Sequence, residues 1–296
     1  MQCEDEVGSR ILISSFQIPN RIVCMSNYIL ENASEFERLE KQSQNKFYDF
    51  ESELRDFHPK ANSVILDAGC GSGVVSRYLA HQFPHSKVIG GDFSGERVQQ
   101  AARFANQIQN LEFRVLNLLN ADFESSSVDA LVCRFVLEHL GHDQVKVALS
   151  ELYRCLRPGG KACVIDIDGY VNNVFPKTPF MDDCCRKIEA VKTVNFNIGR
   201  ELPFLLGQSG FVNVQWRIET MQFRHEDLRN EAILVKERFL QAMPFLISVL
   251  GEVGIARRFM DEYLETLNAP NAVLFYNKFI VLAEKQGLKI SHPSLK

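Results

Sequence analysis

The feature that most constrains this chain is a run of ten residues, Val64-Ile65-Leu66-Asp67-Ala68-Gly69-Cys70-Gly71-Ser72-Gly73. Ser63 to Asp67 reads as a buried strand, three glycines follow at alternate positions, and Ser72 to Gln82 reads as a helix. A strand that enters a helix through such a loop belongs to a layered α/β fold, whose ligand crevice lies at the carboxyl ends of the strands. The glycines allow positive φ and close backbone approach. The helix N-terminus offers partial positive charge to an anionic group.

The same rhythm continues. Lys87–Asp92, Leu111–Val115, Val128–Cys133 and Lys161–Asp168 read as strands. Helices are expected from Ser94, with Ser94 as N-cap, and over Asp143–Leu156. Leu156-Arg157-Pro158-Gly159-Gly160 reads as a turn. This alternation implies a mostly parallel sheet with helices on both faces. After Asp168 it breaks: helices are expected at 179–194 and 200–209, a strand at 211–219, a long helical stretch at 225–267 and a last strand at 272–283. Upstream, 1–27 looks irregular or partly stranded, and Glu31 to about Phe57 has helical spacing.

Composition narrows the function classes. At 296 residues with 46% apolar side chains, the chain can build one large α/β domain with added helices. A net charge of −4 without a basic run argues against nucleic acid as a partner. The eight cysteines show no zinc-ligand spacing, and Cys133 and Cys163 sit in apolar strand patterns as small hydrophobes. The adjacent Cys184-Cys185 pair is the one redox candidate. No metal is expected, and the cysteine usage suggests a reducing, cytoplasmic setting. There is neither a signal-peptide pattern nor an apolar stretch long enough to span a membrane.

A dinucleotide site would have Gly-x-Gly-x-x-Gly, whereas here Val74 stands where the third glycine belongs. Asp92 ends the next strand, where a carboxylate can accept both hydroxyls of a ribose. With these residues in place, the chain resembles the class I S-adenosylmethionine (SAM)-dependent methyltransferases, in their small-molecule (methyltransferase type 11/25-like) branch. Val132-Cys133-Arg134-Phe135-Val136-Leu137-Glu138-His139-Leu140 is similar to their fourth-strand motif, and Leu156–Gly160 to their turn before strand five. The resemblance covers roughly Ser63 to Asp168.

The resemblance implies a Rossmann-like, doubly wound seven-stranded sheet with strand 7 antiparallel. It implies SAM as cofactor and S-adenosylhomocysteine as product. It assigns cofactor contacts to Asp67, Gly69, Cys70, Gly71, Gly73, Asp92 and Phe93, and adenine contacts to Asn117 and Leu118. Arg134 would meet the cofactor carboxylate or the substrate, or is a surface arginine. Glu37-Arg38-Leu39, preceded by Tyr28, is similar to an N-terminal helix that covers the cofactor in relatives, which makes Tyr28 and Arg38 further cofactor candidates. His139 and Asp168 are the candidate bases, set against structural roles for both.

Four segments follow: 1–60 with the cofactor-covering helix, a core over 61–220, a helical insertion over 221–270, and a last strand and tail over 271–296. In the family topology a connection from strand six to strand seven starts at the carboxyl end of the sheet, so the insertion is expected there, as a lid or as a dimer interface. The leading functional expectation is methyl transfer to an oxygen or nitrogen of a small molecule by a monomer or homodimer. The rivals are a protein or RNA methyltransferase and a SAM-binding domain without turnover that acts through partners.

Overall fold

A computed structural model describes residues 35–287. Tyr28, Cys3, Cys24, the segment 1–27 and the start of the first expected helix lie outside the described residues. The elements run α1 (Glu35–Ser43), α2 (Phe50–Glu53), β1 (Val64–Ala68), α3 (Val74–Gln82), β2 (Lys87–Asp92), α4 (Gly95–Phe104), β3 (Leu111–Val115), β4 (Val128–Arg134), α5 (His142–Cys155), β5 (Leu156–Asp168), β6 (Val174–Phe175), α6 (Pro179–Glu189), α7 (Ile198–Gln208), β7 (Phe211–Phe223), α8 (Glu226–Gln241), α9 (Met243–Leu250), α10 (Val253–Asn268) and β8 (Val273–Lys285).

The strand order is β3-β2-β1-β4-β5-β8, with β7 on the far side of β8. β1 to β5 are parallel, and β8 is antiparallel to both β5 and β7. The seven expected strands are therefore present, with β8 as the antiparallel seventh. An eighth, the two-residue β6, pairs with Leu274 and Val273 on the side of β8 that β5 leaves after Asp168. In-register pairing brings Ala68, Gly91 and Cys133 level at the carboxyl edge of the sheet.

Apolar burial fixes three layers. One face packs Val145, Leu149 and Leu152 of α5 and Ile198, Leu202 and Leu206 of α7 against the sheet. The other packs Leu54, Phe57, Val75 and Leu79 against Ile65, Val132 and Ile165. A further core joins α6, α8, α9 and α10 through Met181, Val235, Leu246, Phe259 and Tyr263, and meets the sheet at Ile167, Phe223 and Tyr276. The expected helical stretch over 225–267 is built of three helices, α8, α9 and α10. Gly251, in a left-handed conformation at φ 94°, ends α9.

Two local expectations differ. The helical spacing of 31–57 does not give one helix, because Asn45 and Asp49 act as N-caps: Asn45 accepts from the Phe47 N–H and Asp49 from the Ser52 N–H, each starting a new short turn. Arg157–Gly160 is not a free turn between α5 and its strand. β5 begins at Leu156, paired with Val128, and the irregularity falls before Ala130 meets Lys161, so the segment bulges within a continuous strand. Among the described residues, no helix is long and apolar enough to cross a membrane.

Candidate active site

The glycine loop is pinned from below. The Gly69 and Cys70 N–H groups both donate to the Gly91 carbonyl, and the Gly71 N–H donates to Asp92 Oδ2 at 2.9 Å. Gly69 has φ 83°, and a Cβ there would fall 2.2 Å from Val136 Cγ2, so only glycine lets the loop pass under the end of β4. A Cβ on Gly71 would meet Leu39 of α1 at 3.0 Å, so α1 lies against the loop. Gly73 opens α3 without a side-chain cap.

One cavity of about 290 Å³ begins at this loop. Asp67, Gly69, Cys70, Gly71, Asp92, Phe93, Asn117, Leu118, Arg134 and Arg38 all line it, whereas Gly73 and Asp168 are not among its wall residues. The Asp67 carboxyl accepts from the Ser76 hydroxyl at 2.6 Å, and burial pushes its pKa up to about 6. Asp92 accepts on Oδ1 from the Ser94 N–H and from Arg97 Nε and Nη2, at 2.9–3.1 Å. Its Oδ2 carries the loop N–H alone among these contacts. Asn117 accepts from the Leu119 N–H, which turns the chain after β3.

Three expected roles change in this geometry. Arg134 is committed to Glu53, at 2.5 and 3.1 Å, with its guanidinium 4.3 Å from the Phe135 ring centre. It is neither a surface arginine nor free to turn wholly to a ligand. Asp168 is held in a two-point ion pair by Arg200 at 2.5 and 2.9 Å, outside the cavity wall. His139 does line the cavity, but burial, with Arg38 and Arg97 nearby, drives its pKa down to about 3, so it is a neutral, weak base. Cys184 and Cys185 are separate buried thiols, and burial pushes Cys185 up to about 12, which makes it inert to oxidation chemistry that needs a thiolate.

The adjacent Glu138 was not singled out from sequence. It lines the same cavity, and burial beside the Asp166 carboxylate holds its pKa well above the usual carboxylate range. Asp166 accepts from the Leu137 and Glu138 N–H groups and so fixes the short 3-10 turn that carries Glu138. His139 stood out in the sequence because histidine titrates near neutrality in solution, a property that burial removes here. The part of the cavity walled by Tyr170, Phe196, Phe239, Tyr263 and Tyr276, with Arg238 among them, forms a chamber. Its sequence signal was the buried stripe of α8, where Glu231 and Arg238 occupy core positions among Leu228, Ala232 and Val235.

Residues 65–160 match the family described as "Methyltransferase domain". This segment is a methyltransferase domain, and the relatives it matches support the class I SAM-dependent methyltransferase superfamily. It is 25% identical over 169 residues to the ubiquinone/menaquinone biosynthesis C-methyltransferase UbiE of Desulfotalea psychrophila, a match that covers 52% of this chain and 67% of the relative. It is 31% identical over 176 residues to the SAM-dependent Diels-Alderase iccD of Talaromyces variabilis, covering 53% and 56%. The chain thus spans between half and two thirds of the length of these relatives. Among solved structures, phosphoethanolamine N-methyltransferase 2 of Haemonchus contortus shares the fold at a TM-score of 0.55 and 18% identity, covering 88% of this chain and 60% of that one. YcgJ of Bacillus subtilis does so at 0.53 and 15%, covering 79% and 97%.

The residues present fit the family's cofactor. The methyltransferase loop leaves no room for a side chain at Gly69 and little at Gly71, and a buried acid, an aromatic side chain and an apolar wall follow it along one crevice at Asp92, Phe93 and Leu118.

Proposed function

We propose that this methyltransferase moves a methyl group from SAM to a small, largely apolar acceptor and releases S-adenosylhomocysteine. The observation that carries this is the single cavity joining the Gly69–Asp92 crevice to the chamber under α8, α9 and α10. Asp92 would hold the ribose hydroxyls through Oδ2, sharing its carboxylate with Arg97. Asp67 and the glycine loop would hold the methionine end, and Phe93, Asn117 and Leu118 the adenine. When bound, SAM supplies an activated methyl group on a sulfonium.

The chain's own contribution is alignment and exclusion of water. α1 closes one side: Glu40 pairs with Arg77 of α3 at 2.9 Å, and Phe36 packs on Phe104 at 5.0 Å between ring centres. α8 to α10 close the other and act as the lid. Glu138, which lines this cavity, would take the proton of an oxygen or nitrogen acceptor once it is ionised. A carbon acceptor is the second reading, favoured by the likeness to a quinone C-methyltransferase.

Incubation with methyl-labelled SAM and fractionated cell extract tests this. Label is expected in the low-molecular-mass fraction. Label in protein or RNA would contradict the proposal, and S-adenosylhomocysteine binding without any labelled product would favour a domain without turnover.

A further inference from the structure

The chamber is walled by apolar and phenolic side chains, and α8 places opposite charges on its buried stripe. Arg238 Nη2 donates to Glu231 Oε1, and its guanidinium lies 5.5 Å from the Tyr170 ring centre. An arginine carries five N–H donors in a planar fork. Among the described residues Glu231 is the one hydrogen-bond partner of Arg238, and Arg238 lines the cavity. Open donors on a guanidinium in apolar surroundings are costly. The side chain does not escape by losing its proton: burial works against the charge, but Glu231 and the neighbouring phenols more than offset it, and the pKa is raised.

The charge balance restricts what can complete this group. Glu231 neutralises Arg238 at close range. Burial keeps the phenols of Tyr48, Tyr170, Tyr263 and Tyr276 protonated. A cation would sit against the guanidinium. A multiply charged anion such as a phosphate monoester would sit beside Glu231, and the other guanidinium near the chamber, Arg38, already pairs with Glu35. What remains is an uncharged group that accepts a hydrogen bond, carried on a body that suits aromatic walls.

We propose that Arg238 recognises the methyl acceptor, and that the acceptor is a neutral ring system bearing a carbonyl or phenolic oxygen. This rests on the reading of the cavity as cofactor crevice plus acceptor chamber. Three probes of similar size separate the possibilities by calorimetry on the full chain saturated with S-adenosylhomocysteine: 1-naphthol, 1-methylnaphthalene and 1-naphthoate. The wild type should bind 1-naphthol at least about tenfold more tightly than 1-methylnaphthalene, the scale of one hydrogen bond to a charged donor. In Glu231→Leu/Arg238→Met, which removes both charges together, that preference should fall to about unity. Arg238→Lys keeps the charge without the fork, should lower the preference, and serves if the double variant does not fold. Equal binding of the two neutral probes, no detectable binding of 1-naphthol, or a preference that survives the substitutions would overturn the proposal. Tighter binding of 1-naphthoate would overturn its neutral-acceptor part. Titration of S-adenosylhomocysteine alone separates the two failures: if it does not bind, the cofactor reading fails, and if it binds while the probes do not discriminate, the Arg238 assignment alone fails.

Discussion

Glu138 and His139 are neighbours on one turn, yet burial moves them in opposite senses: the carboxyl pKa is pushed up and the imidazole pKa down. If Glu138 takes the acceptor proton, it must first ionise, so kcat/KM should climb with pH across a limb lying above the ordinary carboxylate range. Glu138→Gln should remove that limb and cost on the order of 10²–10⁴-fold in kcat, with S-adenosylhomocysteine affinity retained; a mutant with wild-type turnover would exclude the role. His139 affects stability instead. Its native pKa of about 3 lies below the unfolded value of about 6.5, so the native state binds fewer protons between those limits. The stability contributed by keeping it neutral is therefore present above pH ~6.5 and is lost as the pH falls toward ~3. Denaturant unfolding at pH 4 and pH 7 should show a smaller difference for His139→Gln than for wild type. Asp67 works the other way. Its raised pKa of about 6 makes stability decline as pH rises from about 3.9 to 6, so the imidazole effect is clearest in a background of Asp67→Asn. At Asp92, substitution by Ala would remove the charge-assisted partner of a ribose and also the anchor of the Gly71 N–H. S-adenosylhomocysteine affinity should drop by at least about tenfold, and an unchanged Kd in a folded mutant would rule out the ribose role.

At the scale of elements, α1 is held over the glycine loop by the Glu40–Arg77 pair, the Phe36–Phe104 contact and Leu39 above Gly71. The ion pair is only partly buried, so it is worth at most about 1 kcal/mol. Glu40→Ala should therefore speed S-adenosylhomocysteine dissociation several-fold in stopped-flow measurements while leaving the melting temperature nearly unchanged; an equal loss of both would mean that α1 is an integral part of the core. The strands β2 and β3 were legible in advance, the one from a short apolar stretch and the other from alternation of apolar and charged residues, and both coincide with their expected limits. The breaks at Asn45 and Asp49 were also written in the sequence, as cap-forming side chains inside a helical spacing. The arrangement of α6, α8, α9 and α10 was not. Amphipathic periodicity says which face of a helix is buried, but not what covers it. Nor could spacing show that Arg134 would find Glu53, 81 positions away, rather than a ligand.

Over the whole molecule, Glu53 ties the N-terminal segment to the sheet. It is fully buried and takes Arg134 from β4 and Lys278 from β8, the latter at 2.7 Å, while Arg217 of β7 donates to the Ser52 and Glu53 carbonyls. Glu53→Ala would leave Lys278 buried without its main partner, a change that costs about 3–5 kcal/mol in comparable buried pairs. Equilibrium unfolding should register that loss; a change under about 1 kcal/mol would mean that water or a neighbour takes over. The position of β8 has a consequence for biosynthesis. It lies between β5 and β7 and also carries β6, so three earlier strands share hydrogen bonds with a strand that follows all of them in the chain. During translation the segments up to Asn271 emerge while both β5 and β7 still have an open edge, and exposed edges of this kind invite pairing with other chains. A nascent chain stalled before β8 is therefore a natural client for holding chaperones, and release to a protease-resistant form should coincide with emergence of residues 273–285.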